Sequence, residues 1–166
     1  MTQDWIFRAG AVCLHCGGQC GNNAHPPVSG HWYHRPVAQG VPEDASEWQG
    51  YRAVKVRGDG TCIFCNGNRC PIHSIRPETC RAGPFTVDMK GDVIGIFSKY
   101  AAICPVVRLP EDVPEAYEYQ SAPAKKSITH LVAHLTDEEL AAVCRIEEPD
   151  TGKVAGIPGE YHDHRH

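Results

Sequence analysis

Three cysteines lie within one short stretch of the chain, Thr61-Cys62-Ile63-Phe64-Cys65-Asn66-Gly67-Asn68-Arg69-Cys70. Two thiolates separated by two residues on a tight turn can both reach one metal ion. The Asn66-Gly67-Asn68 run predicts a second turn, because asparagine and glycine tolerate the backbone conformations that turns require. That turn would fold Cys70 back toward Cys62 and Cys65. The stretch therefore predicts a loop that gathers three sulfur atoms.

Further cysteines precede and follow this loop. The sequence contains 9 cysteines, and all except Cys144 lie between Cys13 and Cys104. Eight thiolates are enough for two four-coordinate metal sites or for one larger cluster. Cys144 is interpreted as a packing residue on a predicted helix, because free cysteine is among the most buried residue types.

Disulfide bonds are a less favoured explanation for these cysteines. Disulfides persist in oxidising compartments, whereas the first twelve residues contain neither the basic region nor the long apolar region of a signal peptide. We therefore expect a reducing cytoplasm, where closely spaced cysteines are more often metal ligands. Chemically idle buried thiols are the other alternative, but chance would not group them so closely.

We predict a small α+β fold with a metal-organised cysteine-cluster core, and composition indicates that it is loop-rich. The 166 residues include 16 glycines and 13 prolines, and metal can replace part of a thin apolar core in such a fold. The net charge is -4 and the basic residues form no stripe, so we expect a protein partner and no nucleic acid. No apolar run approaches the ~20 residues of a membrane-spanning helix, so membrane insertion is not expected.

Local patterns predict how Cys62 and Cys65 are presented. Residues 51–57 alternate in polarity, 58–60 supply a Gly-Asp-Gly turn, and 61–64 resume an apolar strand. Such a pattern is typical of a short hairpin, here with the two cysteines near its turn.

Other segments are read in the same way. Pro77 suits the first turn of a short helix, which would hold Cys80 at a defined place. Residues 28–50 have no clear periodicity and are interpreted as a surface insertion. The apolar stretch 93–104 is compatible with either a strand or a helix.

The last third of the chain predicts a helical segment joined through a linker. We place a cysteine-cluster metal-binding domain at 1–109 and, at 110–166, a proline-rich linker followed by a C-terminal helical docking segment. Thr136 and Glu139 form a Thr-x-x-Glu capping box at the start of one helix. The linker prolines are Pro110, Pro114 and Pro123, and the apolar face of a preceding helix at 127–135 consists of Ile128, Leu131, Val132 and Leu135.

Several motifs occur together in a fixed order along residues 10 to 105. They are Cys13-x2-Cys16-Gly17-Gly18-x-Cys20 with Pro26-Pro27-Val28-Ser29, then Gly60-Thr61-Cys62-x7-Cys70-x-Ile72, then Arg76-Pro77-x2-Cys80-Arg81-x2-Pro84-Phe85 and Cys104. Together they resemble the YkgJ-like cysteine-cluster family, which is described as a zinc- or iron-chelating domain. The ordered combination is far more specific than any single Cys-x-x-Cys.

The resemblance implies a set of metal ligands. The family often carries a doubled cysteine where this chain has Cys20-Gly21, and Cys65 is an additional cysteine that can replace the missing thiolate in space. The predicted metal ligands are Cys13, Cys16, Cys20, Cys62, Cys65, Cys70, Cys80 and Cys104.

Two kinds of metal centre remain open. Cysteines spaced irregularly over ~90 residues, with proline directly after Cys70 and Cys104, favour an iron-sulfur cluster, and we expect a 4Fe-4S cluster. The Cys-x2-Cys pairs favour Zn2+ held by four thiolates. Arg76 and Arg81 flank Cys80, and we predict that they contact the cofactor by donating hydrogen bonds to thiolates or inorganic sulfide; the alternative is that they fix the loop through backbone carbonyls.

The two metals predict different functions. An iron-sulfur centre predicts a redox or accessory subunit, whereas zinc predicts a stabilised protein-interaction module without a redox role. We recognise no catalytic constellation, so we predict that the chain is not an enzyme by itself. His130 and His134 are four residues apart, but Leu131 replaces the glutamate of a His-Glu-x-x-His hydrolase, and we interpret both as surface or partly buried helix residues.

Overall fold

Helices and antiparallel strands together confirm the predicted α+β class. The structure is a computed structural model that describes residues 8, 11–12, 25–67, 69–90, 93–99, 104–108, 114–146 and 151–158. The helices are α1 (Gly30–Ala38), α2 (Glu78–Ala82), α3 (Pro114–Ala133) and α4 (Asp137–Val143), with short 3-10 turns at Glu43–Ala45, His73–Ile75 and Pro105–Arg108. The strands are β1 (Ser46–Trp48), β2 (Arg52–Val54), β3 (Phe85–Lys90), β4 (Val93–Lys99) and β5 (Thr151–Pro158).

The strands form two small antiparallel sheets in the described residues. β1 pairs with β2, and the second sheet has the order β3-β4-β5. β4 covers the first part of the segment that the sequence left open between strand and helix. Gly50, in the β1–β2 turn, has a φ of +81°, and a Cβ there would lie 3.1 Å from the Cβ of Ala142. Glycine therefore permits both the turn and the close approach of this hairpin to α4.

The main apolar core lies between α3, α4 and both sheets. The face of α3 that contributes to this core is the apolar face predicted from the sequence, since Ile128, Leu131 and Val132 are each no more than 1% exposed. Cys144 packs against the edge of this core, in agreement with its interpretation as a packing residue. The buried members are Tyr51, Ala53, Ala82, Phe85, Val87, Ile96, Ala124, Ile128, Leu131, Val132, Leu135, Leu140, Ala142 and Val143.

The stretch expected to be a linker is helical from Pro114 onward. α3 runs for 20 residues and contains Pro123 inside it. Ala116 and Ala124 are 0% and 1% exposed, so this part of the helix is packed against the rest of the molecule. Burial of this helix against the rest of the molecule thus outweighs the free-energy cost of a proline inside it. The sequence pattern around the prolines did not indicate a helix. Among the described helices, none is both long and apolar enough to cross a membrane.

The predicted capping box at the start of α4 is confirmed. The Thr136 hydroxyl accepts a hydrogen bond from the N–H of Glu139 at 3.1 Å, and the Glu139 carboxylate accepts one from the N–H of Thr136 at 2.8 Å. Both donors would otherwise lack a partner at the helix start, so a purely local pattern sets this boundary.

A second, smaller apolar cluster lies beneath the cysteine loop. Val28, Trp32 and Val54 are 0%, 6% and 1% exposed. The interpretation of residues 28–50 as a surface insertion is therefore wrong: this segment forms α1 and β1 and supplies part of a core. The partly buried residues packed against the cluster are Tyr33, Cys62, Ile63, Phe64 and Ile72.

The predicted hairpin before the cysteines is shorter than expected. β2 pairs with β1, which precedes it, and the later pairing is an isolated bridge between Val56 and Cys62. The Gly58-Asp59-Gly60 turn is present, because the N–H of Gly60 donates to the C=O of Arg57 at 2.9 Å. Directly after the bridge, the chain turns between Cys62 and Cys65, so the strand does not continue.

Candidate metal centre

Cys62 and Cys65 lie on one tight turn. The N–H of Cys65 donates to the C=O of Cys62 at 2.9 Å, and the N–H of Ile63 donates to the C=O of Lys55 at 3.0 Å. Both cysteines are half-buried. The turn has the compact geometry that a Cys-x2-Cys pair needs to present two thiolates to one metal ion.

The guanidinium of Arg57 fastens this turn. It donates to the C=O of Cys62 at 2.8 Å and to the C=O of Ile63 at 2.7 Å. On the other side, the Asp59 carboxylate accepts from the hydroxyl and the N–H of Thr61 at 2.6 and 2.9 Å, and these hydrogen bonds hold the pKa of Asp59 below its usual value. Sequence reasoning missed Arg57, because a basic residue on an alternating strand also occurs on any solvated face.

Cys70 directly follows the second predicted turn. Reciprocal backbone hydrogen bonds of 2.9 and 3.2 Å close the turn at 66–69. Burial raises the pKa of the Cys70 thiol and the nearby Cys62 raises it further, while a hydrogen bond from the backbone of Ile72 and the charge of Arg76 oppose the increase. Because the raised pKa keeps the Cys70 thiol protonated, metal binding has to displace its proton.

Local chemistry at both ends of α2 determines where Cys80 lies. Pro77 precedes the helix with a φ of -56°, as the sequence predicts for proline at a helix start. Gly83 ends it with a φ of +63° and donates its N–H to the C=O of Cys80 at 3.3 Å. Glycine is favoured at such a position because it adopts a positive φ without steric cost.

The buried carboxylate of Glu78 ties the Cys80 helix to two other helices. Its Oε1 accepts from the Ser29 hydroxyl at 2.5 Å, one residue before α1, and lies 3.1 Å from Nδ1 of His130 on α3. The Glu78 side chain is 7% exposed, and its Oε2 has no partner among the described residues. Sequence reasoning missed this contact; the available signal was an acidic residue in the first turn of a predicted helix, between Pro77 and Cys80.

Three histidine rings lie together beside this carboxylate. The centroids of His130 and His134 are 4.2 Å apart, and the ring of His31 lies 5.0 Å from each. Nδ1 of His134 lies 2.8 Å from the C=O of His130, so the ring donates there. The His130 side chain is 39% exposed, and His134 is exposed, in agreement with the interpretation of both as surface or partly buried helix residues.

Cys104 lies at a different place in the fold, at the start of the 3-10 turn Pro105–Arg108. It is 8% exposed and forms a small cluster with Val106, against which Val12 and Val107 pack. Val12 is the residue before Cys13 in the sequence. The chain that leads into the first cysteine group therefore reaches the buried Cys104.

The two arginines beside Cys80 have different surroundings. The charge of Arg76 holds the pKa of His73 below its usual value, with burial acting in the same direction. Arg81 donates to the C=O of Ser74 at 3.4 Å, which is a contact with a backbone carbonyl. A contact between either arginine and a bound cofactor stays a prediction.

The described cysteines supply a suitable but incomplete donor set. Cys62 and Cys65 share one turn, Cys70 directly follows the next turn, and Cys80 and Cys104 lie on separate elements. Within the described parts of the chain, no group of three His, Cys, Asp or Glu side chains has the arrangement of a metal site. The predicted ligands Cys13, Cys16 and Cys20 fall outside those parts. Thiolates suit both zinc and iron-sulfur clusters, so the donor chemistry fits either group, and the eight-ligand set stays a prediction.

Comparison with known families adds one finding. The model of the family CxxCxxCC, described as "Putative zinc- or iron-chelating domain", matches residues 12–105, which is more than half of the chain. The match confirms the resemblance inferred from the ordered cysteine motifs. Neither a curated protein nor a solved structure matches the chain.

Proposed function

The chain belongs to the CxxCxxCC family of metal-chelating domains, and we propose that it is a cytoplasmic protein that holds an iron-sulfur centre and acts as a redox or accessory subunit. The observation that carries the proposal is the two successive closed turns that present Cys62, Cys65 and Cys70. The first is closed by the 2.9 Å hydrogen bond from the N–H of Cys65 to the C=O of Cys62, and the second by the paired backbone hydrogen bonds between Asn66 and Arg69, directly before Cys70. Convergence of sulfur atoms from irregularly spaced turns is what a cluster requires.

The surroundings of Cys62 and Cys70 support a role in electron transfer. Cys62 packs against the buried cluster of Val28, Trp32 and Val54. Cys70 accepts a hydrogen bond from the backbone of Ile72. An iron-sulfur cluster, when bound, supplies one-electron chemistry, and its potential depends on solvent exclusion and on hydrogen bonds to sulfur. The residues around Cys62 and Cys70 provide both.

The second candidate is a zinc-stabilised protein-interaction module. The tight turn from Cys62 to Cys65, closed by a 2.9 Å backbone hydrogen bond, favours it because such turns commonly hold structural zinc. Zn2+ has a filled d shell and no redox chemistry, so this alternative excludes a redox role, and four thiolates leave no open coordination position for catalysis.

Metal content decides between the two candidates. The protein is purified without oxygen, and iron, zinc and acid-labile sulfide are measured together with the visible absorption spectrum. Iron with stoichiometric sulfide supports the iron-sulfur proposal, whereas zinc without sulfide refutes it and supports the interaction module. Cys70→Ser is expected to lower the metal content, and the matched variant Cys144→Ser is expected to leave it unchanged, because Cys144 packs on the main core.

A protein partner is part of this proposal. Trp48 on β1 is 64% exposed, and exposed aromatic residues are enriched at protein interfaces. Purification of the chain from its own cells under anaerobic conditions is expected to retain a stoichiometric partner. A monomer without any bound protein would count against an accessory subunit.

A further inference from the structure

We propose that the chain has a second ligand site, a cavity that binds a small molecule bearing at least two anionic groups. The cavity lies between α1, α3 and the segment from His73 to Arg81, and its volume is about 480 Å³. Cavities of about 300–1,000 Å³ accommodate small organic ligands. No cysteine lines this cavity, and the proposal assigns Arg76 and Arg81 to its ligand in place of the predicted contact with the metal cofactor. It does not rest on the identity of the metal.

Four cations line this cavity. Arg35 comes from α1, Arg76 and Arg81 from the cysteine-bearing segment, and Lys126 from α3. Among the described residues, none of the four is ion-paired with a carboxylate. The acidic residue in the wall is Glu78, whose Oε1 already accepts from Ser29 and contacts His130.

Such a concentration of positive charge is unexpected in this protein. The chain carries a net charge of -4, so a random surface would mix acidic residues among these cations. Four like charges on one concave surface repel each other, and a cavity wall of low polarisability increases that repulsion. A bound anion removes the repulsion, and the planar guanidinium of arginine matches phosphate and carboxylate groups with paired hydrogen bonds.

The walls of the cavity are fastened to each other by buried contacts. The indole N–H of Trp32 on α1 donates to the C=O of Ile75 at 2.6 Å. Glu78 joins α2 to Ser29, one residue before α1, and to His130 on α3. Each element that carries a cation is thus held against the next, and fixed walls are what a specific binding site needs.

The placement of the cations indicates the class of ligand. Because they come from three elements, one small monovalent anion cannot contact them all, whereas two anionic groups on one molecule can. Bisphosphates and polycarboxylates share this chemistry. Fructose 1,6-bisphosphate and tricarballylate are probes for the two sources, and both fit within a cavity of this size.

Calorimetric titration tests the proposal on the whole 166-residue chain with its bound metal. Each probe is titrated separately at about 0.15 M salt, where weak surface attraction is screened. We expect saturable one-to-one binding of at least one probe, and the probe that binds more tightly identifies the class. If neither probe binds at millimolar concentration, the proposal is wrong.

Matched variants show whether binding occurs in the cavity. Lys126→Gln and Arg35→Gln are each expected to weaken binding about tenfold, because each removes a charge-assisted contact. Lys125→Gln makes the same charge change one residue away, on a side chain outside the cavity, and is expected to change the affinity less than twofold. Lys126→Arg keeps the charge and is expected to retain binding.

Equal weakening by Lys125→Gln and Lys126→Gln would overturn the proposal, because it would indicate only general attraction of anions. Circular dichroism and metal content are measured on every variant, so that loss of the fold or of the metal is separated from loss of the anion site. A protein that binds the probe but contains neither iron nor zinc would refute the proposed metal function and leave the anion site standing.

Discussion

The two apolar clusters of the molecule are held in different ways. The main core buries large aliphatic side chains from α3, α4 and the sheets, such as Ile96, Leu131 and Leu140. The cluster beneath the cysteine loop has three buried members, Val28, Trp32 and Val54. The residues packed against them are only partly buried, namely Tyr33, Cys62, Ile63, Phe64 and Ile72. The comparison indicates that the helical part is stable through its own packing, and we predict that the cysteine region depends on its hydrogen bonds and on bound metal.

Metal removal is expected to cause the largest loss of stability among these changes. We expect the loss to be confined to the cysteine region. Structural zinc can contribute ~10–16 kcal/mol in small domains, far more than three buried side chains. After chelation, we expect amide hydrogen exchange to lose protection across residues 55–75 and to keep it across 128–143. Equal loss in both regions would show that the main core also needs the metal.

Leu131→Ala tests the opposite side of the comparison. Leu131 is 0% exposed, and truncation of a buried leucine costs about 2–5 kcal/mol of the free energy of unfolding. Urea denaturation measures the loss, and Ile146→Ala at a position 37% exposed is expected to change stability by less than about 0.5 kcal/mol. The metal content of the folded variant should stay normal; a decrease would mean that the two regions are coupled.

Glu78→Ala breaks the contact between the Cys80 helix and its neighbours. The Ser29 hydroxyl and the His130 ring lose their acceptor, and an unsatisfied buried group costs about 1–3 kcal/mol. Glu78→Gln keeps a carbonyl acceptor in place and should lose less. Denaturation curves of the two variants provide the measurement, and equal losses would show that the charge matters more than the hydrogen bonds.

Arg57→Ala loosens the turn that presents Cys62. It removes two hydrogen bonds to backbone carbonyls at an exposed position, and we expect a loss of about 0.5–1.5 kcal/mol. The clearer readout is the rate at which metal passes to a chelating dye, which should increase. Arg145→Ala, at an exposed position beyond α4, is the control. An equal increase in the rate for this variant would show that Arg57 has no specific role at the cysteine turn.

The smallest expected change is in the stability of the metal-free protein as pH increases. Burial raises the pKa of Cys70 above its ordinary value of 9.0, so the folded state holds this proton more tightly than the unfolded chain. The contribution to stability is complete below the unfolded pKa and is lost as pH increases through the folded pKa. Relative to Cys70→Ser, the wild type should therefore become less stable above about pH 9. A stability difference between the two proteins that stays constant with pH would contradict the raised pKa of Cys70.

Prediction from the sequence succeeded where the determinants are local. Pro77 before α2, the capping box of Thr136 and the turn at 66–69 each depend on residues a few positions apart. Prediction failed where burial decides, because α1 carries no periodic signal and α3 contains prolines that locally disfavour a helix. The buried state of Val28 and Ala116 could be known only after distant elements were in place.

The sequence by itself determined that the chain is a cysteine-cluster protein with soft metal donors, because thiolate chemistry and short spacings are properties of the residues themselves. Only the tertiary structure decided that Cys62 packs on a buried cluster with Trp32 and that Glu78 joins α2 to Ser29 and to α3. It also decided that four cations surround one cavity. The contacts of Glu78 with Ser29 and His130 span 49 and 52 residues, and no local pattern specifies such distances, since burial and charge come together only when the whole chain has folded.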